Sequence, residues 1–295
     1  MKYRIWVAIA LAAFGWGSGS VANRAALVQG ADAHTLIALR LAIAAILLFA
    51  YLWLSGRGLT RRPLIWWRGG LLGVVGMGAP MTLFTHALKH ISVGLSGLIM
   101  TSAAIVTVGW AHLLLDGERF APRVVGGMLV GMSGVATLLL AGETGIIGGG
   151  NLLRGVSLVL AGAIATGFTS ALSRKYMLHH SVLDFAGPQF AFGAVVGLLA
   201  WPLLGDMDLG GMTVQVWLLL AYLGLVGTTV PFLAFLWASQ LSSATRVAVV
   251  SYIVPIFSLV GGIVFLDERL SWFMALGGAL IVGGVIIVDR IEASR

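Results

Sequence analysis

Apolar residues run along this chain in blocks too long for strands and too unbroken for surface helices. Spanning about 30 Å of hydrocarbon takes roughly 20 residues at about 1.5 Å each. Ten such blocks can be drawn, near 4–24, 34–54, 66–87, 91–115, 122–141, 154–175, 182–204, 214–238, 243–266 and 271–289. The links between them are short, the longest being 57–68, the Gly-rich 142–150 and 205–211. The pattern predicts an all-α integral membrane protein of ten transmembrane helices.

Slid against itself, the chain matches at a displacement of 150 to 151 residues. Gly17 meets Gly167 and Arg24 meets Arg174; then Pro80 meets Pro231, Phe84 meets Phe235, Ala87 meets Ala238, Ser92 meets Ser243 and Asp116 meets Asp267. Gly117 is an extra residue in the first copy, after which Glu118 and Arg119 fall on Glu268 and Arg269. Glycine matches are cheap in this composition, whereas aligned prolines and an aligned Asp-Glu-Arg turn are not. The organisation expected is a five-helix repeat over 1–141, a Gly-rich link over 142–153 and a second five-helix repeat over 154–290. Because five is odd, the second copy enters the membrane from the opposite side, and such inverted-topology repeats imply alternating access.

Composition supports the bilayer as solvent: 59% of the 295 residues are apolar and 10% charged, against about 25% charged in a soluble domain. The mean hydropathy is +1.00. With a cytoplasmic N-terminus, Lys2, Arg4, Arg57, Arg61, Arg62, Arg68, Arg119, Arg123, Arg174, Lys175, Arg246, Arg290 and Arg295 fall inside, and Arg24, Lys89, Arg154 and Arg269 outside. Thirteen against four predicts both termini in the cytoplasm of a bacterial inner membrane, multi-pass. The net charge of +7 is thereby read as orientation, not as a nucleic-acid surface. Lys2 and Arg4 before an apolar run also fit a secretory signal, but the first segment has a full counterpart in the second copy. Cysteine is absent, which removes thiolate and disulfide chemistry.

These residues resemble the drug/metabolite transporter superfamily in its ten-helix EamA-type branch, which includes bacterial amino-acid exporters. The likeness covers essentially the whole chain. It rests on Trp16 and Gly17 with Arg24, on Ala87 to Lys89, and most specifically on the turns LLDGERF at 114–120 and FLDERL at 265–270, each followed by a Gly-rich helix. The family pattern places a proline in the fourth helix of each copy; here Pro255 keeps it and Ala104 replaces it. The resemblance implies a central cavity lined by the first four helices of each copy, with the fifth peripheral.

Candidate substrate-binding residues on that basis are Trp16, Phe84, His86, Thr101, Ser102, Phe235, Trp237 and Tyr252. Aromatic faces can sandwich an apolar cargo, hydroxyls can bond its amino or carboxylate group, and His86 lies deep enough to hydrogen-bond or titrate. The competing reading is ordinary packing, with each Ser or Thr bonded back to its own helix. Pro80, Pro231 and Pro255 each withdraw an N–H from a helix and are candidate hinges. Arg40, about 10 Å into the second helix, could meet a cargo carboxylate, Asp32 or a backbone carbonyl. The glycine stripes Gly126, Gly127, Gly131, Gly134 and Gly277, Gly278, Gly283, Gly284 predict close packing, within each five-helix half rather than at a dimer seam.

No carboxylate falls at mid-membrane in the sequence, where a proton-coupled exporter of lipophilic cations would keep one. The expected cargo is a small neutral or zwitterionic metabolite, most simply an amino acid, moved by facilitated diffusion or exchange. A proton-coupled multidrug exporter is the alternative within transport. An enzyme needs a nucleophile with its base, a metal cluster or paired carboxylates, and none is seen in the spans. No cofactor, metal or nucleic acid is expected, and the partners are the cargo and membrane lipids, with the chain a monomer or weak homodimer.

Overall fold

The computed structural model describes residues 2–56, 58–115, 122–146, 149–177, 182–206, 209–241 and 244–293. The turn 116–120, His179, His180, Asp208 and Ser243 lie outside these. The helices are α1 (Lys2–Val28), α2 (Ala33–Leu54), α3 (Pro63–Gly73), α4 (Ala79–Ala87), α5 (Val93–Met100), α6 (Ala103–Leu114) and α7 (Pro122–Ala141) in the first half. The second half holds α8 (Leu152–Met177), α9 (Val182–Leu204), α10 (Val214–Gly224), α11 (Val230–Leu241), α12 (Ala244–Leu266) and α13 (Trp272–Ala293). Among the described residues nine helical runs are long and apolar enough to cross a membrane, and Trp272–Val288 is a shorter apolar tenth. The protein is a multi-pass membrane protein.

Two single-turn π-helices join α3 to α4 and α10 to α11, at Val74–Gly78 and Leu225–Thr229. They occupy the same positions of the repeat, and each stands just before a proline, Pro80 or Pro231. A proline ring clashes with the carbonyl four residues back and brings no N–H to it. Widening one turn relieves that clash without breaking the span.

Polar ends are fastened locally. Asp32 caps α2 by accepting from the Thr35 amide at 2.8 Å, Ser92 caps α5 through Leu95, and Thr213 caps α10 through Val216. Gly30, with φ of +88°, supplies the left-handed residue that ends α1, its N–H donating to Leu27.

Pairing follows the repeat. α1 packs on α11 and α12 while α8 packs on α4 and α6, and α2 lies along α9. The two fifth helices, α7 and α13, pack on each other. A methyl added at Gly134 would lie 2.5 Å from the Gly277 carbonyl, and one at Gly284 2.5 Å from the Gly131 amide. The stripes therefore join the halves to each other, where packing inside each half was expected. Small residues let backbones approach, but which helix approaches is decided by the pseudo-twofold arrangement.

Candidate substrate path and its closure

One face of the molecule carries Lys2 and Ala293 and is termed the terminal face; the other is the far face. On the far face the connection after α12 reaches across to α5. Asp267 adopts a left-handed φ of 53°, a conformation Asp tolerates better than most side chains. This turns Glu268 back, so that its amide donates to the Gly262 carbonyl at 3.1 Å. The Glu268 carboxylate, 7% exposed, then accepts from Val93 N–H at 2.7 Å and Gly94 N–H at 3.3 Å, the open amides at the start of α5. Gly262 leaves the space, since a Cβ there would collide with the carboxylate. Burial pushes the Glu268 carboxyl up from its ordinary range, and the two amides and the Arg24 charge partly oppose that.

Around this clasp, Arg24 donates to the Leu88 carbonyl and Asn23 to the Thr85 hydroxyl at 2.9 Å. Trp201 donates to Thr35, whose own hydroxyl donates to the Asp206 carbonyl, each at 2.8 Å. His86 and His34 meet at Nε2 with a separation of 3.2 Å. The far face is thus tied across α1, α2, α4, α5, α9 and the link after α12. On the terminal face Lys175 donates to the Leu114 carbonyl at 3.1 Å and Arg68 lies 4.7 Å from the Tyr176 ring centre, fastening α8 to α6 and α3. There α1, α11 and α12 make a separate cluster from Ile5, Ala8, Ile9, Ala234, Ala238 and Val250.

The fourth span of the first copy divides between these groups. α5 packs on the C-terminal half of α12, with Gly97 against Ser258 and Pro255 and Gly94 against Leu259, while α6 packs on α8. Thr101 and Ser102 form the break, with their amides donating three residues back to Leu98 and Ile99. The break occurs in the copy that lacks the family proline. In the second copy Pro255 lies inside the unbroken α12.

The candidate residues fall into distinct places. Trp16 and Phe235 come together across α1 and α11, ring centres 5.4 Å apart and tilted by 50°. Both pack beside the α1–α11–α12 cluster with Val249, Ile253 and Val254. Tyr252 is half-buried on α12, and Trp237 is 42% exposed. Phe84 packs with Val21, Leu88 and Val93, on the far face rather than beside Trp16. Thr101 donates its hydroxyl to Leu98 at 2.6 Å, but the buried Ser102 hydroxyl has no partner among the described residues, nor have those of Ser96 and Ser258. Pro80, Pro231 and Pro255 are buried. A methyl added to the facing glycine of another helix would come within 3.8 Å of Pro80 from Gly162, 2.9 Å of Pro231 from Gly15 and 3.6 Å of Pro255 from Gly97.

Arg40 takes a backbone carbonyl, not Asp32. Its Nη2 donates to Gly227 at 2.9 Å and its Nε to Thr228 Oγ1 at 2.7 Å. Gly227 is the carbonyl that an N–H at position 231 would take in an unbroken α-helix, so the arginine serves the second copy's π-turn. Asp32 is occupied with Thr35. Burial raises its carboxyl, but the Thr35 amide and hydroxyl, with His34 and Lys89, more than offset this and hold it below its ordinary value.

Sequence reasoning missed His34 and read Glu268 as a symmetric turn residue. Its alignment with Glu118 was a signal for Glu268, whereas His34 had none beyond its place in the first turn of α2. Among the described residues no group of His, Cys, Asp or Glu is arranged to hold a metal ion.

Comparison with known proteins agrees with this architecture. A solved crystal structure superposes with a TM-score of 0.66 at 23% identity, covering 98% of this chain and 97% of that one. The chain is 29% identical to a probable terminal-alkyne amino-acid exporter of Streptantibioticus cattleyicolor, over 76% of this chain and 73% of the relative. It is 29% identical to an uncharacterized protein of Pseudomonas aeruginosa over 94% and 92%, and 26% identical to the uncharacterized transporter YdfC of Bacillus subtilis over 73% and 68%. The model of the EamA-like transporter family matches twice, at residues 4–140 and 153–289. With both repeats accounted for by one family, the chain belongs to the EamA-like transporters of the drug/metabolite transporter superfamily, as a membrane transporter built from two copies of that unit.

Proposed function

We propose that this transporter exports small zwitterionic metabolites, amino acids with bulky or aromatic side chains, across a bacterial inner membrane with both termini in the cytoplasm. The observation that carries this reading is the make-up of the membrane-depth interior. Away from helix ends, its described residues offer the Trp16–Phe235 wall, partnerless hydroxyls such as Ser102, and no carboxylate. A lipophilic cation would find no counter-ion there, whereas an amino acid needs an apolar wall for its side chain and hydrogen-bonding groups for its backbone. Kinship with a probable amino-acid exporter points the same way.

The tied far face and the divided terminal face fit a carrier open toward the terminal side, one of the two states of an alternating-access cycle. Flux then follows the cargo gradient, by facilitated diffusion or exchange. The test is uptake of labelled phenylalanine, threonine and a lipophilic cation into liposomes holding the purified protein, with and without a proton gradient. Phenylalanine flux without a gradient, falling several-fold in Trp16→Ala, is the expected result. Cation flux alone, driven by the gradient, overturns the reading.

A further inference from the structure

His34 stands in the first turn of α2 and His86 in the last turn of α4, fifty-two residues apart in sequence. Their Nε2 atoms are 3.2 Å apart and their ring centres 4.7 Å, tilted by 55°. A neutral imidazole has one N–H and one lone pair, so a contact through both Nε2 atoms holds one proton. One ring donates from Nε2, and the other accepts there and keeps its own proton on Nδ1. A first added proton can be taken at the free Nδ1 of the donor ring, which leaves the Nε2–H···Nε2 bond in place; a second has only the accepting Nε2 to go to, which replaces the bond by two opposed N–H groups on two cationic rings.

We propose that this pair is a proton-binding site that latches the far face: closed while the pair shares one Nε2 proton, released when both rings are cationic. The contact is placed to act this way. The far end of α4 is held to α1 by Asn23–Thr85 and Arg24–Leu88, and its contact with α2 is the member of this set made by two imidazole rings, which can take up protons where an amide, a hydroxyl or a backbone carbonyl does not.

The charged and titratable groups around the pair are Asp32 at the head of α2, Lys89 beyond α4 and Arg154 on α8, with His90 next to Lys89 and Asp206 beyond α9. Asp32 is engaged with Thr35, so it does not close an ion pair on either ring. The second copy has no equivalent latch, because its residue aligned with His86 is Trp237. Acid on the far side therefore acts on one face of the cycle only.

This inference rests on the alternating-access reading, not on the identity of the cargo, and its test uses no cargo. The chain has no cysteine, so Ser258→Cys creates a single thiol at a buried, partnerless hydroxyl on the α5–α12 contact, which parts when the far face opens. Maleimide labelling is followed from about pH 7.5 to about pH 4, through the ordinary histidine range and below it, and normalised at each pH to the unfolded chain to remove thiol ionisation. The expected result is a several-fold rise in normalised labelling toward acid, abolished by His34→Gln and by His86→Gln. The double variant, whose two amides can bond each other without titrating, stays at the low level at every pH. Labelling that does not change with pH in the parent, or a rise that survives the glutamines, overturns the proposal. Failure of phenylalanine transport with this rise intact would overturn the cargo assignment alone.

Discussion

The fourth span of the first copy and its counterpart in the second differ in an instructive way. The first, without its proline, is interrupted at Thr101–Ser102; the second, with Pro255 in its middle, runs on as α12. Proline weakens a helix by withholding one N–H, but α12 has α1 along its length, with Gly17 set against Val254 and Phe257 and Gly261 against Val21. The first copy's span is pulled two ways, α5 onto α12 under the Glu268 clasp and α6 onto α8. Neighbours, not the kink residue, decide where this pair bends.

Three substitutions test that comparison, and a fourth, outside it, gives a reference. Gly17→Val removes the close approach of α1 to the middle of α12, since any Cβ at 17 collides with Phe257. Overpacking of this kind costs about 1–3 kcal/mol or more, and a large fall in the detergent melting temperature, with poor recovery of folded protein, is expected. Glu268→Ala leaves the Val93 and Gly94 amides buried and unpaired, at about 1–3 kcal/mol. Hydrogen exchange should show faster exchange at the start of α5, with Glu268→Gln between the two; unchanged protection in Glu268→Ala would remove the clasp from the account.

Ala104→Pro restores the family residue in the first turn of α6, two residues beyond an existing break. It forfeits only the Ala104 N–H bond to Thr101, 3.1 Å long, so a loss of about 1 kcal/mol and retained transport are expected. A collapse comparable to Gly17→Val would mean that α5 and α6 act as one helix. The smallest effect is at the head of α2, outside the contested spans. Asp32→Ala should cost about 1 kcal/mol. Because the folded carboxyl titrates below its unfolded value, the part of this contribution due to charge is present at neutral pH and fades as pH falls through the folded value. Stability of the parent and the variant should converge in acid.

Much of the framework was legible in advance. The ten spans, the repeat and its phase came from hydropathy and from paired residues such as Pro80 and Pro231. The two π-turns stand where those prolines foretold a disturbance. The candidate site residues were legible as residue types but not as neighbours: Trp16 and Phe235 come together across α1 and α11, whereas Phe84 and Thr101 are engaged in packing and in backbone bonding. Ser102 drew notice as a hydroxyl, but nothing in the chain marked it as the point of a break.

What the sequence determined by itself is what local chemistry controls: apolar length against bilayer thickness, a missing N–H at each proline, and charge at the helix ends. Only the tertiary structure decided which surfaces meet. His34 finds His86, Glu268 finds the head of α5 at a separation of 175 residues, Arg40 finds the Gly227 carbonyl, and α7 finds α13. The first depends on α2 and α4 packing together within one copy and the other three on two inverted copies closing around one axis, and no short window along the chain contains both partners.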